Sequence, residues 1–248
     1  MKIGLLKCDT VAPDLLHLSG DYSDMFQSLF SAYAPQVEMA VYDVTRGEYP
    51  QSLDEVSGYL TTGSRHSVYD EEPWILRLRD FVRTAYTAGK KFIGVCFGHQ
   101  MIAHALGGQV APSVRGWGAG VKEVIIVKKM PWMEPPLTSY DLMVVHQDQV
   151  EVLPPGAVLL GQNSHCPHSF YQVGSHFLSM QAHPEFEALF VEHLLRYRLK
   201  RIGAETIDEA LRTLNRPLHR REMVRWMLNF LQGNGATGPE GIRRVLRQ

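Results

Sequence analysis

Apolar residues recur along this chain with two different periods, and the elements follow from where each period holds. Residues 2–8, KIGLLKC, are a short and nearly continuous apolar run, the pattern of a buried strand. A loop with Pro13 and Gly20 follows. Within residues 23–34, Met25, Phe26, Leu29, Phe30 and Tyr33 recur at helical spacing, with Ser23 or Asp24 available as a cap. Residues 37–44, VEMAVYDV, alternate and are rich in valine, which predicts a second strand. Residues 52–63 predict a short helix and then a strand ending at Gly63. Residues 71–89 predict an amphipathic helix, with Pro73 near its start and Gly89 beyond its end. The acidic run Asp70 to Glu72 is placed to cap that helix and favour its dipole.

A buried strand (KFIGV, 91–95) and a helix (HQMIAHAL, 99–106) come next. Strands alternating with helices imply a parallel sheet with right-handed crossovers. After Gly108 the texture changes. Residues 121–129, 140–146, 157–163, 169–173 and 176–182 read as short strands separated by Pro, Gly and Asn, antiparallel additions to the sheet. Residues 187–202, 206–214 and 220–232 return to helical spacing. The Gly-rich start of residues 233–248 reads as a flexible tail.

Composition alters this picture little. The chain has 248 residues, 45% apolar and 21% charged, an ordinary globular make-up with ample chain for a core. A net charge of −1 gives no bulk electrostatic reason to expect nucleic acid or an anionic membrane as partner. Three widely spaced cysteines are no disulfide framework. The first apolar run is too short for a signal segment, and no stretch approaches about 18 consecutive apolar residues. The expectation is a soluble, cytoplasmic protein with reduced thiols and no membrane partner.

Chemistry concentrates in GVCFG, residues 94–98. This G-x-C-x-G pattern sits where a strand turns into a helix, the nucleophile-elbow arrangement with sulfur in place of oxygen. The turn pushes Cys96 out at the carboxyl edge of the sheet, where open α/β sheets bind ligands. The helix N-terminus favours a thiolate there, and the amide of Phe97 is placed to donate to an oxyanion. A nucleophilic thiol needs a base, and the base an orienting group. In MQAHPEF, His183 ends an apolar strand and Glu185 follows two residues later, so the pair can project towards one site as base and orienter. Read alone, an inert cysteine and a strand-capping histidine explain the same residues.

Taken together, the motifs resemble the class I (triad) glutamine amidotransferase superfamily. GVCFGHQMIAHALGG is similar to its Cys-x-Gly-His-Gln segment, and MQAHPEF to its Gln-x-His-Pro-Glu segment. VVHQDQVEVLPPGAVLLGQN is similar to a block of the glutaminase domain of GMP synthetase. YDEEPWILRLRDFVR and the same block also look like the stand-alone γ-glutamyl peptidases.

The resemblance implies a flavodoxin-like α/β fold over residues 1–195; the helical spacing beyond it is read as an extension packed on that domain over 196–232, followed by the tail over 233–248. It implies that Cys96 attacks a γ-glutamyl amide, forming a glutamyl thioester that water hydrolyses, with His183 and Glu185 completing a triad. Gly63 is the implied second oxyanion donor beside Phe97, although Thr62-Gly63-Ser64 departs from the usual Gly-Gly-Pro or Gly-Gly-Gly. Gln100 is implied in holding the glutamyl group, and His146 and Asp148 are candidates for the rim.

The implied substrate is glutamine or another small γ-glutamyl compound, with no cofactor and no metal. Three functional readings stay open: a stand-alone γ-glutamyl hydrolase, a glutaminase subunit passing ammonia to a synthase partner, and a silent binding protein on the same fold. The residues after 195 carry no Gly-rich phosphate loop, so a synthase would have to come from a partner. Cys8 is read as structural and His99 as a packing residue. Arg220, Arg221 and Arg225 are read as a solvated basic face, and His165, Cys166 and His168 as a loop bordering the site.

Overall fold

A computed structural model describes residues 1–233 of the chain. The first half alternates strand and helix: β1 (Lys2–Lys7), α1 (Leu16–Ser19), α2 (Tyr22–Tyr33), β2 (Glu38–Asp43), β3 (Gly58–Thr61), α3 (Pro73–Thr87), β4 (Lys91–Val95) and α4 (Phe97–Ala105). Seven strands follow: β5 (Gln109–Pro112), β6 (Gly118–Ile126), β7 (Ser139–His146), β8 (Asp148–Val152), β9 (Ala157–Gln162), β10 (Phe170–Val173) and β11 (Phe177–Met180). Four helices complete the described residues: α5 (Ala188–Tyr197), α6 (Leu199–Ile202), α7 (Ala204–Leu211) and α8 (Arg220–Gln232). The tail expected over 233–248 lies, beyond Gly233, outside the described residues.

Local chemistry sets most of these boundaries. Asp21, rather than Ser23 or Asp24, caps α2, and Asp24 answers from the third position to complete a capping box. Pro73 opens α3. The acidic run does not cap it: Glu72 makes no side-chain bond to the helix, and Asp70 instead accepts from the Ser67 amide. No helix forms over residues 52–57, because the Glu55 carboxylate takes up the amides of Gln51 and Ser52 and closes a turn. The helix expected over 187–202 breaks at Arg198, which separates α5 from α6. Strands β5 and β8 pair as a small separate sheet that the sequence pattern does not reveal, because each is short and half polar.

The main sheet has nine strands in the order β2-β1-β3-β4-β11-β10-β9-β6-β7. From β2 to β11 the neighbours run parallel, and from β11 to β7 they run antiparallel. This is the flavodoxin-like arrangement, extended by an antiparallel half. Helices α2 and α8 cover one face, through Phe26, Phe30, Trp226 and Phe230. Helices α3 and α4 cover the other, through Ile75, Leu78, Met101 and Ile102. A third core, with Phe190, Leu194 and Ile207, packs α5 to α7 on β6 and β7. No helix among the described residues is long and apolar enough to cross a membrane.

The placement of β11 does most to assemble the site. It inserts beside β4 in register, Val95 opposite Met180, and the Cys96 amide donates to the Met180 carbonyl at 2.9 Å. The ends of two sequence-distant strands are thereby held side by side at the carboxyl edge of the sheet.

Candidate active site

Cys96 is the turn residue between β4 and α4, with φ 50° and ψ −99°. Among the described residues no other non-glycine has positive φ. A cysteine held in that conformation carries backbone strain that the surrounding packing must offset. The flanking glycines make the turn possible. A Cβ on Gly94 would lie 2.5 Å from the Gly98 carbonyl oxygen, and one on Gly98 would overlap Thr61 Oγ1. Strand, turn and helix therefore approach more closely than any side chain allows.

His183 comes to Cys96 from β11. Its amide donates to the Met143 carbonyl at 2.8 Å, an isolated bridge to β7 that fixes the backbone three residues past the strand. Its ring stacks on Phe186, with centroids 3.9 Å apart and planes 7° apart. Nδ1 lies 2.6 Å from Glu185 Oε1, both side chains being almost wholly buried. The other Glu185 oxygen has no partner among the described residues, so the carboxylate serves the imidazole alone. Burial on its own would push the imidazolium down. The hydrogen-bonded Glu185 carboxylate and the nearby Cys96 sulfur outweigh it, and the net shift is upward from the ordinary histidine value. A protonated His183 is thus favoured.

Gly63, two residues past β3, closes the site from the other side. A Cβ there would lie 2.8 Å from His183 Cε1 and 3.6 Å from the Cys96 Cβ, so its backbone packs directly against both. Its amide has no backbone partner among the described residues. The Phe97 amide is one of the first-turn donors that a helix leaves free. Gly63 is therefore brought beside Cys96, and Phe97 follows it in the chain.

Gln100, His146 and Asp148 are also brought together, in a cavity of about 160 Å³ that includes Cys96, Ser64, Tyr69 and Trp117. Gln100 Nε2 donates to the Asp148 carbonyl at 2.7 Å and to Gln181 Oε1 at 3.1 Å. Both its protons are committed, which leaves Oε1 as an acceptor. The Asp148 carboxylate accepts from Ser67 Oγ at 2.5 Å. His146 Nδ1 faces the Asp148 carbonyl at 3.0 Å and must donate to it. Burial, above all, pushes His146 down to about 3, so the ring is neutral near pH 7 with Nε2 free to accept. The cavity beside Cys96 is thus bordered by acceptors on Gln100, His146 and Asp148 and also by the guanidiniums of Arg65, Arg198 and Arg201.

Other cysteines and histidines fall outside this arrangement. Cys8 is fully buried, and burial raises its thiol well above the ordinary value. Burial also pushes the Cys166 thiol up to about 12. His99 is buried against Ser179 Oγ at 2.7 Å, and burial holds it well below the ordinary value.

Two contributors are not evident from the sequence pattern. Arg220 is not a solvated cation: its Nε donates to the Pro184 carbonyl at 2.9 Å and its Nη1 pairs with Glu187 at 3.1 Å, bracing the His-Pro-Glu turn from α8. Arg198, at the α5–α6 break, lines the cavity. The dense basic run of residues 196–201 is the available signal.

Comparison with known proteins agrees with this architecture. The family model for glutamine amidotransferase class-I matches residues 37–190. Gamma-glutamyl peptidase 3 of Arabidopsis thaliana is 30% identical over 230 residues, covering 86% of this chain and 90% of the relative. Gamma-glutamyl peptidase 4 of the same plant is 34% identical over 174 residues, 67% of this chain and 68% of the relative. A solved glutamine amidotransferase from Thermotoga maritima shares the fold with a TM-score of 0.72 at 17% identity, covering 96% of this chain and 99% of that one. Matched by that family model over more than half of its length and by a 30% identical relative over 86% of it, the chain belongs to the class-I glutamine amidotransferase family.

Proposed function

We propose that the protein is a stand-alone hydrolase of γ-glutamyl amide bonds, working through a glutamyl thioester on Cys96. The observation that carries this reading is the buried His183–Glu185 pair set against a cysteine in a strained strand-to-helix turn. The γ-glutamyl peptidases among its relatives support the substrate class.

The steps follow from the groups present. The Cys96 sulfur attacks the γ-carbonyl carbon, forming a C–S bond as the π electrons move to oxygen. The amides of Phe97 and Gly63 donate to that oxyanion. Collapse breaks the C–N bond, and the leaving nitrogen takes its proton from His183. His183 then removes a proton from water, which attacks the thioester. The C–S bond breaks, the sulfur leaves as thiolate, and glutamate departs. Glu185 orients the imidazole and stabilises its charged form throughout. A gap of about 10 Å³ between Cys96, Gly63, His183 and Phe186 has room for about one water. It suits first the leaving nitrogen and then the hydrolytic water.

The test is glutamate release by the purified chain from glutamine and from γ-glutamyl dipeptides, with Cys96→Ala as control. Turnover of dipeptides by the wild type alone, with acylated Cys96 trapped by intact-mass measurement, supports the proposal. Turnover of glutamine only, and only with a partner extract, would replace it with the ammonia-donating subunit. Full activity in Cys96→Ala would sink the mechanism.

A further inference from the structure

The leaving group must depart on the side of the acid that protonates it, and that side opens into unassigned space. A cavity of about 490 Å³ lies next to the active site, between the ends of β1 and α5. That size is within the rough 300–1,000 Å³ of small-molecule sites. It shares Tyr22, Leu194 and Arg198 with the one-water gap at His183, and Arg65, Arg198 and Arg201 with the glutamyl-sized cavity. The three spaces therefore meet along the same guanidinium groups.

Its charge is lopsided. Arg65 is neutralised by Asp9, whose carboxylate it grips through Nε at 2.9 Å and Nη2 at 2.7 Å. Arg196 is paired with Glu192. Arg198, Lys200 and Arg201 have no carboxylate partner among the described residues, although they line one wall together. Arg198 is half-buried at the α5–α6 break, and Arg201 is held over the Trp117 ring at 5.4 Å. The lining also includes the apolar side chains of Val11, Leu15 and Leu194. Unpaired guanidiniums in a partly enclosed cavity are a site for a carboxylate.

Resting on the γ-glutamyl reading, we propose that this cavity is the leaving-group subsite and selects amines that carry a carboxylate. Arg198, with Arg201 behind it, determines that specificity. A γ-glutamyl amino acid or peptide with a free carboxyl terminus fills both cavities, with its γ-amide at Cys96. Glutamine fills only one.

Steady-state kinetics on γ-glutamyl-alanine and γ-glutamyl-alaninamide test the idea, since the pair differ only in the terminal charge. Wild type is expected to favour the acid by about 10- to 100-fold in kcat/KM, the effect of one charge-assisted contact. Arg198→Gln should bring the ratio near unity, Arg198→Glu should turn it towards the amide, and Arg201→Gln should lower it partway. Arg201 is exposed, so its variant reports even if Arg198 variants fold poorly. Cys96-dependent turnover of both probes at equal rates, or an unchanged ratio in the Arg198→Gln, Arg201→Gln double variant, overturns the subsite alone. No Cys96-dependent glutamate release from either probe or from glutamine overturns the hydrolase reading and this proposal with it.

Discussion

Two cysteines occupy matching places in the parallel half of the sheet: Cys8 directly follows β1, and Cys96 directly follows β4. Both are buried at the carboxyl edge, and both neighbour β3 through their strands. Their surroundings differ in three respects. Cys8 does not have positive φ and turns its sulfur to the Leu6 carbonyl, with Thr62 Oγ1 holding its amide. Cys96 sits in a positive-φ turn at a helix N-terminus. It also faces a histidine, brought by β11, whereas β1 has β2 and β3 as neighbours and neither ends in one. Burial alone makes a thiol inert, as at Cys8. The same burial with a paired imidazole and free amides makes a site where charge can develop.

The sharpest way to break this contrast is to remove each sulfur in turn. Cys96→Ala is expected to lower glutamate release by at least about 10⁴-fold, while Cys8→Ala stays within about twofold. Equal losses would mean that reactivity is not confined to the β4 end. Next in size is the imidazole's partner. Glu185→Gln should cost about 10²- to 10⁴-fold in kcat, since it removes the charge that favours imidazolium. The sign of its pH effect follows. His183 is raised in the folded protein, so its proton is retained to higher pH than in a free histidine, and acid-dependent release of the amine fails only above that point. In Glu185→Gln the alkaline fall in kcat should move towards the ordinary value of about 6.5. The His183–Glu185 contribution to stability is likewise complete below about 6.5 and lost as pH rises through the raised value. A pH–rate profile with an unmoved alkaline limb would refute the assignment.

The turn itself predicts a smaller, structural effect. Gly98→Ala forces a methyl into Thr61 and should cost about 3 kcal/mol, a fall of roughly 5–10 °C in Tm by calorimetry. No fall would mean that β3 and α4 can separate without loss. A further effect, on stability as a function of pH, lies at the buried neutral histidines. His146 and His99 are held down mainly by burial, so the unfolded chain binds protons that the folded chain refuses. Stability should therefore decline from about pH 6.5 towards the lowered values, read as a falling urea midpoint between pH 7 and pH 5. His146→Asn should flatten part of that slope.

Much of the site is legible before any folding is considered, because short-range geometry demands particular residues. Gly94 and Gly98 around a cysteine mark a strand-to-helix turn too tight for side chains, and His183 with Glu185 two residues on marks a pair at one strand end. The alternating elements of residues 2–106 likewise follow from local period and capping. Tertiary structure decided the rest, since it depends on which distant segments meet. Nothing in the local pattern of residues 176–182 says that β11 inserts beside β4 instead of pairing only with its hairpin partner β10, yet that insertion brings His183 to Cys96. The fates of like residues were decided the same way. Arg220 reads as one more surface cation until the His-Pro-Glu turn supplies its acceptors, and Arg198 becomes a cavity wall only because α5 ends over the carboxyl edge. Charge and burial are properties of neighbours in space, and a chain read residue by residue contains only neighbours in line.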